Sequence, residues 1–149
     1  MGVVRLKRSQ IPEWLRLRAT LWPAVSPEEH RRAMTDLLAD EEFNAVFVSL
    51  DRARRLTGFA EVTLRMSAEG CTTSPVGYLE ALYVAPKARL KGVGRALTAK
   101  AEAWAASQGC REMASDVAMD NEDGRRVQRD LGYEEVSRLA HFRKALTSK

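Results

Sequence analysis

Arg89, Gly92 and Gly94, spaced Arg-x-x-Gly-x-Gly inside the stretch Gly77 to Ala96 (GYLEALYVAPKARLKGVGRA), have the residue types and intervals of a phosphate site. Two residues without Cβ let the backbone approach a ligand closely with its N–H groups turned toward it, and a helix opening there adds its dipole. Basic residues from Lys87 to Arg95 surround the same turn. The pattern is not the nucleoside triphosphate loop, which ends in Gly-Lys-Ser/Thr. Nor is it the dinucleotide fingerprint, which needs a third glycine and a following acidic residue. A different phosphate carrier is indicated.

The elements that must position this turn follow from periodicity and punctuation. Val3 to Lys7 reads as a first strand, and Ser9 as the cap of a helix whose apolar face is Trp14, Leu15, Leu17 and Leu21. Pro23 ends that helix, and the capping box Ser26-Pro27-Glu28-Glu29 opens a second one to about Ala39. Asn44 to Leu50 and Leu56 to Met66 predict an antiparallel pair, followed by a loop, Ser67 to Pro75, expected to be mobile. Gly77 to Val84 is the central strand, with Tyr78 and Tyr83 as packing residues. Val93 to about Gln108 is a helix with Leu97, Ala101 and Trp104 on its inner face, stopped by Gly109. Glu112 to Val117 then forms a strand parallel to the central one, because a crossover helix separates them. A short helix begins near Asp123 and ends at Gly132, and Tyr133 to Ser137 with Leu139 to Ala145 predict a closing antiparallel pair. The order is mixed α/β, with helices on both faces of a twisted, mainly antiparallel sheet.

At 149 residues and 45% hydrophobic content the chain reads as one globular domain, residues 1–149. It contains no run of eighteen apolar residues, and its first residues have no signal-peptide core, so a soluble, cytoplasmic protein is expected, with no membrane partner. Cys71 and Cys110 are too few for a disulfide scaffold and read as free thiols with packing roles. His30 and His141 have no metal-ligand spacing, so no metal is expected. The net charge of +4 is modest for a dedicated nucleic-acid binder, and the arginines at 52, 54 and 55 and at 125, 126 and 129 read as solvated faces.

The segment LYVAPKARLKGVGRAL resembles the coenzyme A pyrophosphate loop of the GNAT superfamily of N-acetyltransferases, which sits between the fourth strand and the third helix. Asn121 and the downstream VQRDLGYEE resemble that superfamily's later helix and its Leu-Gly-Phe/Tyr ending, so the likeness covers nearly the whole chain. More narrowly, Leu21-Trp22-Pro23, Thr73 to Val76, Leu79-Glu80 and GCREMASD (Gly109 to Asp116) resemble the aminoglycoside 6'-N-acetyltransferases. This resemblance implies the GNAT fold, whose central strand splays from its parallel neighbour.

It also implies acetyl-coenzyme A as co-substrate, an aminoglycoside as acceptor and a homodimer formed at the closing strands. The pantetheine arm is expected to pair with backbone at Leu82, Tyr83 and Val84. The pyrophosphate is expected on the N–H groups of Leu90, Lys91, Gly92, Val93, Gly94 and Arg95, with Arg89 and Lys91 as nearby charge and Asn121 against the arm. An aminoglycoside carries several ammonium groups, so its pocket needs carboxylates and an aromatic surface. Glu80 and Asp116 are the expected catalytic and substrate-binding carboxylates, with Glu80 relaying the amine's proton, and Trp22 is the expected pocket wall. By residue type alone, Trp22 also fits a core and Asp116 also fits a loop cap. One departure stands out: the superfamily's proton-donating tyrosine is replaced by Gln128, which has no proton to give at useful pH. Two other readings remain open, acetylation of a polyamine, protein or metabolite amine, and a non-catalytic acyl-coenzyme A binding module.

Overall fold

In the computed structural model, which describes residues 2–147, five strands lie side by side in chain order. They are β1 (Gly2–Arg5), β2 (Asn44–Leu50), β3 (Leu56–Arg65), β4 (Val76–Val84) and β5 (Met113–Ser115). The first four are antiparallel neighbours, and β5 runs parallel to β4. The described residues fall into two compact units, one up to Asp116 and one from Val117 onward.

Within the first unit, helices cover both sheet faces. On one face α3 (Val93–Ser107) presents Val93, Leu97, Ala101, Trp104 and Ala105 to Ala45, Phe47, Ala60, Val62 and Leu79. On the other, α1 (Ile11–Leu21) and α2 (Pro27–Ala39) bring Trp14, Leu17 and Met34 onto Val46, Val48, Phe59, Ala81 and Tyr83. Burying a side chain such as Leu17 or Phe59 completely contributes about 1.5–3 kcal/mol. Gly77 sets how near α3 lies to β4, because a Cβ there would come within 2.6 Å of the Ala105 methyl and 2.5 Å of the Met113 sulfur.

Helix ends follow the expected chemistry with one change. Ser26 caps α2 by accepting from the Glu29 N–H at 3.1 Å, with Pro27 at the first position. Gly109, at φ +96°, closes α3 with a Schellman pattern: its N–H bonds Ala106 O and the Cys110 N–H bonds Ala105 O, each at 3.0 Å. Ser9, by contrast, is not a cap. It lies inside a 3-10 turn, Arg8–Gln10, and α1 begins at Ile11 after Gln10, because Pro12 pre-sets the first helical turn three residues beyond the serine.

The loop expected to be mobile is tied down. Glu112 accepts from the Thr72 N–H at 3.0 Å, the Thr73 N–H at 2.8 Å and the Thr73 hydroxyl. Cys71 and Cys110 are free thiols, and burial pushes both up, with Glu112 adding to the effect at Cys71.

In the second unit, α4 (Glu122–Asp130) is capped by Asn121, and Gly132, at φ +93°, turns the chain away two residues after its end. The closing pair expected from Tyr133 to Ser137 and Leu139 to Ala145 is absent, since neither stretch is in a strand. Alternation marks a segment able to pair, but a ladder also needs a partner strand for its N–H and C=O groups. Val136, Leu139, Phe142 and Leu146 are exposed there.

Candidate active site

The register between β3 and β4 breaks at one point. Glu61 lies opposite Ala81 and Val62 opposite Leu79, which leaves Glu80 as an extra residue in β4. A β-bulge of this kind re-aims a side chain and bends the strand. Here it turns Glu80 to the face of Thr63 and Arg65 at the end of β3. Glu80 Oε2 accepts from Thr63 Oγ1 at 2.6 Å and Arg65 Nε at 3.0 Å, and Oε1 accepts from Arg65 Nη2 at 2.8 Å.

Asp116, one residue past β5, accepts a short hydrogen bond from the Tyr78 hydroxyl. Burial, then the bond to Asp116, pushes that hydroxyl up to about 12. The Arg65 guanidinium lies 3.5 Å from the centre of the Tyr78 ring. Glu80 and Asp116 are thus brought into one connected group by two residues, Arg65 and Tyr78, that the sequence reading missed. Tyr78 is buried, as a packing residue would be, yet its hydroxyl bonds Asp116. Arg65 had no motif, although its polar alternation with Thr63 and Glu61 was visible.

Pairing of β5 with β4 runs only from Gly77 to Leu79, where the Ser115 hydroxyl donates to Leu79 O at 3.2 Å. Past that point Leu82, Tyr83 and Val84 keep β3 as neighbour but have no β5 partner. Leu82 packs toward α3, and Tyr83 is buried against Phe59, with ring centres 6.1 Å apart. Val84 O accepts from Arg89 Nε at 2.8 Å, so Arg89 is strapped back onto β4.

From there the chain makes a turn, Pro86–Ala88, and then holds Leu90 at φ +62°, fully exposed, and Gly92 at φ +80°. A left-handed leucine costs about 1–2 kcal/mol. Gly92 is the cap residue of α3 without a side-chain bond, and nothing lies within 4 Å of where its Cβ would be. Gly94 has only the Val84 methyl at 3.7 Å. The N–H groups of a helix's first turn have no intrahelical acceptor, so this end of α3 offers donors at Val93 and Gly94 over an open surface, beside Lys91 and Arg95.

Trp22, the residue that follows α1, stacks on His30, with ring centres 6.3 Å apart, while Arg18 lies 4.8 Å from its ring centre. Arg18 also belongs to a buried network that the sequence reading did not find. Its Nη1 meets Glu61 Oε2 at 2.5 Å, its Nε donates to His30 Nδ1 at 3.2 Å, and Trp14 Nε1 donates to the same Glu61 oxygen at 3.0 Å. Because Nδ1 accepts, His30 Nε2 carries the proton and donates to Trp22 O at 3.2 Å. Burial pushes the Glu61 carboxyl up, opposed by Arg18. In the second unit, Asn121 Oδ1 accepts from the Gly124 N–H at 2.9 Å. Among the described residues there is no cluster of three or more His, Cys, Asp or Glu able to hold a metal, and no helix long and apolar enough to cross a membrane.

Beyond Leu79 the central strand thus lacks its parallel neighbour, and a glycine turn follows it to open a helix. Residues 11–133 match the acetyltransferase (GNAT) family. The chain belongs to the GNAT family of acetyltransferases. It is 40% identical over 146 residues, 97% of its own length and 99% of the relative's, to an aminoglycoside N(6')-acetyltransferase type 1 of Serratia marcescens. Its fold is similar to aminoglycoside N-acetyltransferase AAC(6')-Iy in complex with CoA, at TM-score 0.90 and 32% identity, over 96% of this chain and 93% of that one. The same enzyme bound to the bisubstrate analogue CoA-S-monomethyl-acetylneamine matches at TM-score 0.89 and 32% identity, over 97% of each chain. The expected GNAT fold is therefore present, with its mostly antiparallel sheet and one parallel pair.

Proposed function

We propose that this acetyltransferase moves an acetyl group from acetyl-coenzyme A to the 6'-amine of aminoglycosides and so confers resistance to them. The observation that carries the reading is the bulge at Glu80, which sets a carboxylate two residues before Leu82 on a strand whose far half lacks a β5 partner. The likeness over nearly the full chain to aminoglycoside N(6')-acetyltransferases supports the substrate class.

In this reading the pantetheine arm takes the place of a strand beside Leu82, Tyr83 and Val84, and a backbone N–H near Leu82 polarises the thioester oxygen. The pyrophosphate rests on the turn from Leu90 to Arg95, with Lys91 as nearby charge. Asn121 is read as a contact of the arm. An alkylamine, with a solution pKa of about 10.4, must lose a proton before attack. Glu80 takes that proton, directly or through water, as the nitrogen bonds to the carbonyl carbon and the carbon–sulfur bond breaks. Asp116 orients the amine and Trp22 offers its ring as a wall; the second proton, which the nitrogen sheds as it becomes the amide, passes through water to the departing thiolate, since Gln128 cannot donate one.

We read residues 1–149 as one acetyltransferase domain, because the family match spans both compact units. The use of acetyl-coenzyme A supports a cytoplasmic site of action. The exposed Val136, Leu139, Phe142 and Leu146 support a homodimer, to be checked by light scattering. The deciding test is thiol release from acetyl-coenzyme A with kanamycin, beside the 6'-hydroxy aminoglycoside paromomycin and beside spermidine. Turnover with kanamycin alone is expected. Turnover with spermidine alone would sink the aminoglycoside reading and leave the acetyltransferase intact.

A further inference from the structure

We propose that Arg65 is a specificity-determining residue: its guanidinium occupies a cation site built by Glu80, Thr63 and the ring of Tyr78, and a polycationic substrate reaches Glu80 by displacing it. The inference rests on the proposed substrate class.

The site is built and filled. Both oxygens of Glu80 accept from Arg65, at 3.0 and 2.8 Å, and Oε2 also accepts from Thr63 at 2.6 Å. The guanidinium carbon stands 3.5 Å from the Tyr78 ring centre, which covers the aromatic face that a cation or a sugar would use. Tyr78 cannot turn freely, because its hydroxyl is held by Asp116. An incoming ammonium therefore meets a carboxylate and an aromatic face already engaged by a cation of the protein's own.

Two ion pairs in the same unit show why this one can exchange. Arg18 and Glu61 have 7% and 4% of their side chains exposed, so separating them would strand a buried charge. Arg65 and Glu80 are 45% and 28% exposed, and Arg65 is the last residue of β3, free to extend into water along its own stem. Water and salt screen such a pair and leave it weakly held.

A single ammonium competes poorly against a tethered, two-pronged guanidinium. A ligand with several ammonium groups competes well, because Asp116, whose Tyr78 partner is a neutral hydroxyl, gives a second charge somewhere to bind. Arg65 would thus act as a filter for multiply charged amines.

The test is calorimetric titration of kanamycin and of spermine into wild type, Arg65→Gln, Arg65→Lys, Glu80→Gln and the Arg65→Gln/Glu80→Gln pair, with melting temperatures alongside. Arg65→Gln is expected to tighten both polycations by roughly three- to fivefold, the scale of an exposed ion pair. It should lower the KM for amine more than it changes kcat and raise the use of a monoamine such as benzylamine. Arg65→Lys, which keeps the charge without the fork, is expected between the two, and the gain should vanish once Glu80 is Gln. Unchanged or weaker binding in Arg65→Gln overturns the proposal. So does a gain that persists without Glu80, which would report only a removed charge. Spermine binding reads Arg65 whatever amine is acetylated, and wild-type turnover of kanamycin reads the proposed function separately.

Discussion

The hydroxyl of Tyr78 on β4 donates to Oδ2 of Asp116 just beyond β5, bridging the parallel strands one step from where they part. The bond joins a residue of the central strand to a carboxylate 38 positions later. It gives Asp116 a fixed direction.

Tyr78→Phe removes that donor and keeps the ring. A hydrogen bond to a charged group contributes about 1.5–3 kcal/mol, so kcat/KM for the aminoglycoside is expected to fall roughly ten- to a hundredfold. The hydroxyl, raised from 10.0 to about 12, stays protonated in the folded state where the unfolded chain begins to ionise. Its contribution to stability is therefore complete below pH 10 and lost between there and about 12. Chemical denaturation across that window should show the slope in wild type and a shallower one in Tyr78→Phe.

Arg18→Met leaves the Glu61 carboxyl buried with Trp14 as its remaining donor. Breaking one side of a buried pair costs about 3–5 kcal/mol. At about 2–4 °C per kcal/mol for a chain of this size, the melting temperature should drop by roughly 6–20 °C. A drop of only a degree or two would mean that the network contributes little to holding α1 on β3.

Glu112 tests the anchoring of the loop before β4. Its carboxyl is held below 4.5, first by the Thr73 hydroxyl and then by the Thr73 N–H. A depressed carboxyl stabilises the folded arrangement above the unfolded value and loses that effect as pH falls through the folded one. The amides of Thr72 and Thr73 should be protected from hydrogen exchange at neutral pH and lose protection only below 4.5. In Glu112→Gln the protection should be weaker at neutral pH, and the difference from wild type should close as pH falls below 4.5.

Gly92 and Gly77 separate ligand binding from packing. Gly92→Ala meets open space but must adopt φ +80°, at a cost of about 1–2 kcal/mol, so the KM for acetyl-coenzyme A should rise several-fold with a melting-temperature loss of a few degrees. Gly77→Ala pushes a methyl against Ala105 and Met113, and overpacking of this kind costs about 1–3 kcal/mol. Thermal stability should fall in that variant while the KM for acetyl-coenzyme A holds. Equal effects on both readouts in both variants would contradict the separation.

Local signals were legible where a residue acts through its own backbone. Gly92, Gly109 and Gly132 each hold a positive φ at the helix end where the sequence placed a turn, and Ser26 caps the helix it announced. The order of strands and helices, the parallel relation of β5 to β4, and Glu80, Asp116 and the Gly92–Gly94 turn as site candidates all followed from periodicity, punctuation and resemblance. The closing strands failed because alternation in Tyr133 to Ala145 carries no information about a partner.

What the chain by itself determined is what neighbours in sequence decide: turns, caps, helix faces and the open N–H groups at the start of α3. Only the tertiary structure decided the partners of the candidate site carboxylates and of the buried one. The bulge that turns Glu80 outward is a register relation between two strands. The pairing of Glu80 with Arg65, of Asp116 with Tyr78 and of Glu61 with Arg18 joins residues 15, 38 and 43 positions apart. Such contacts depend on which strands lie side by side and on how far the chain is bent, and no short spacing encodes either.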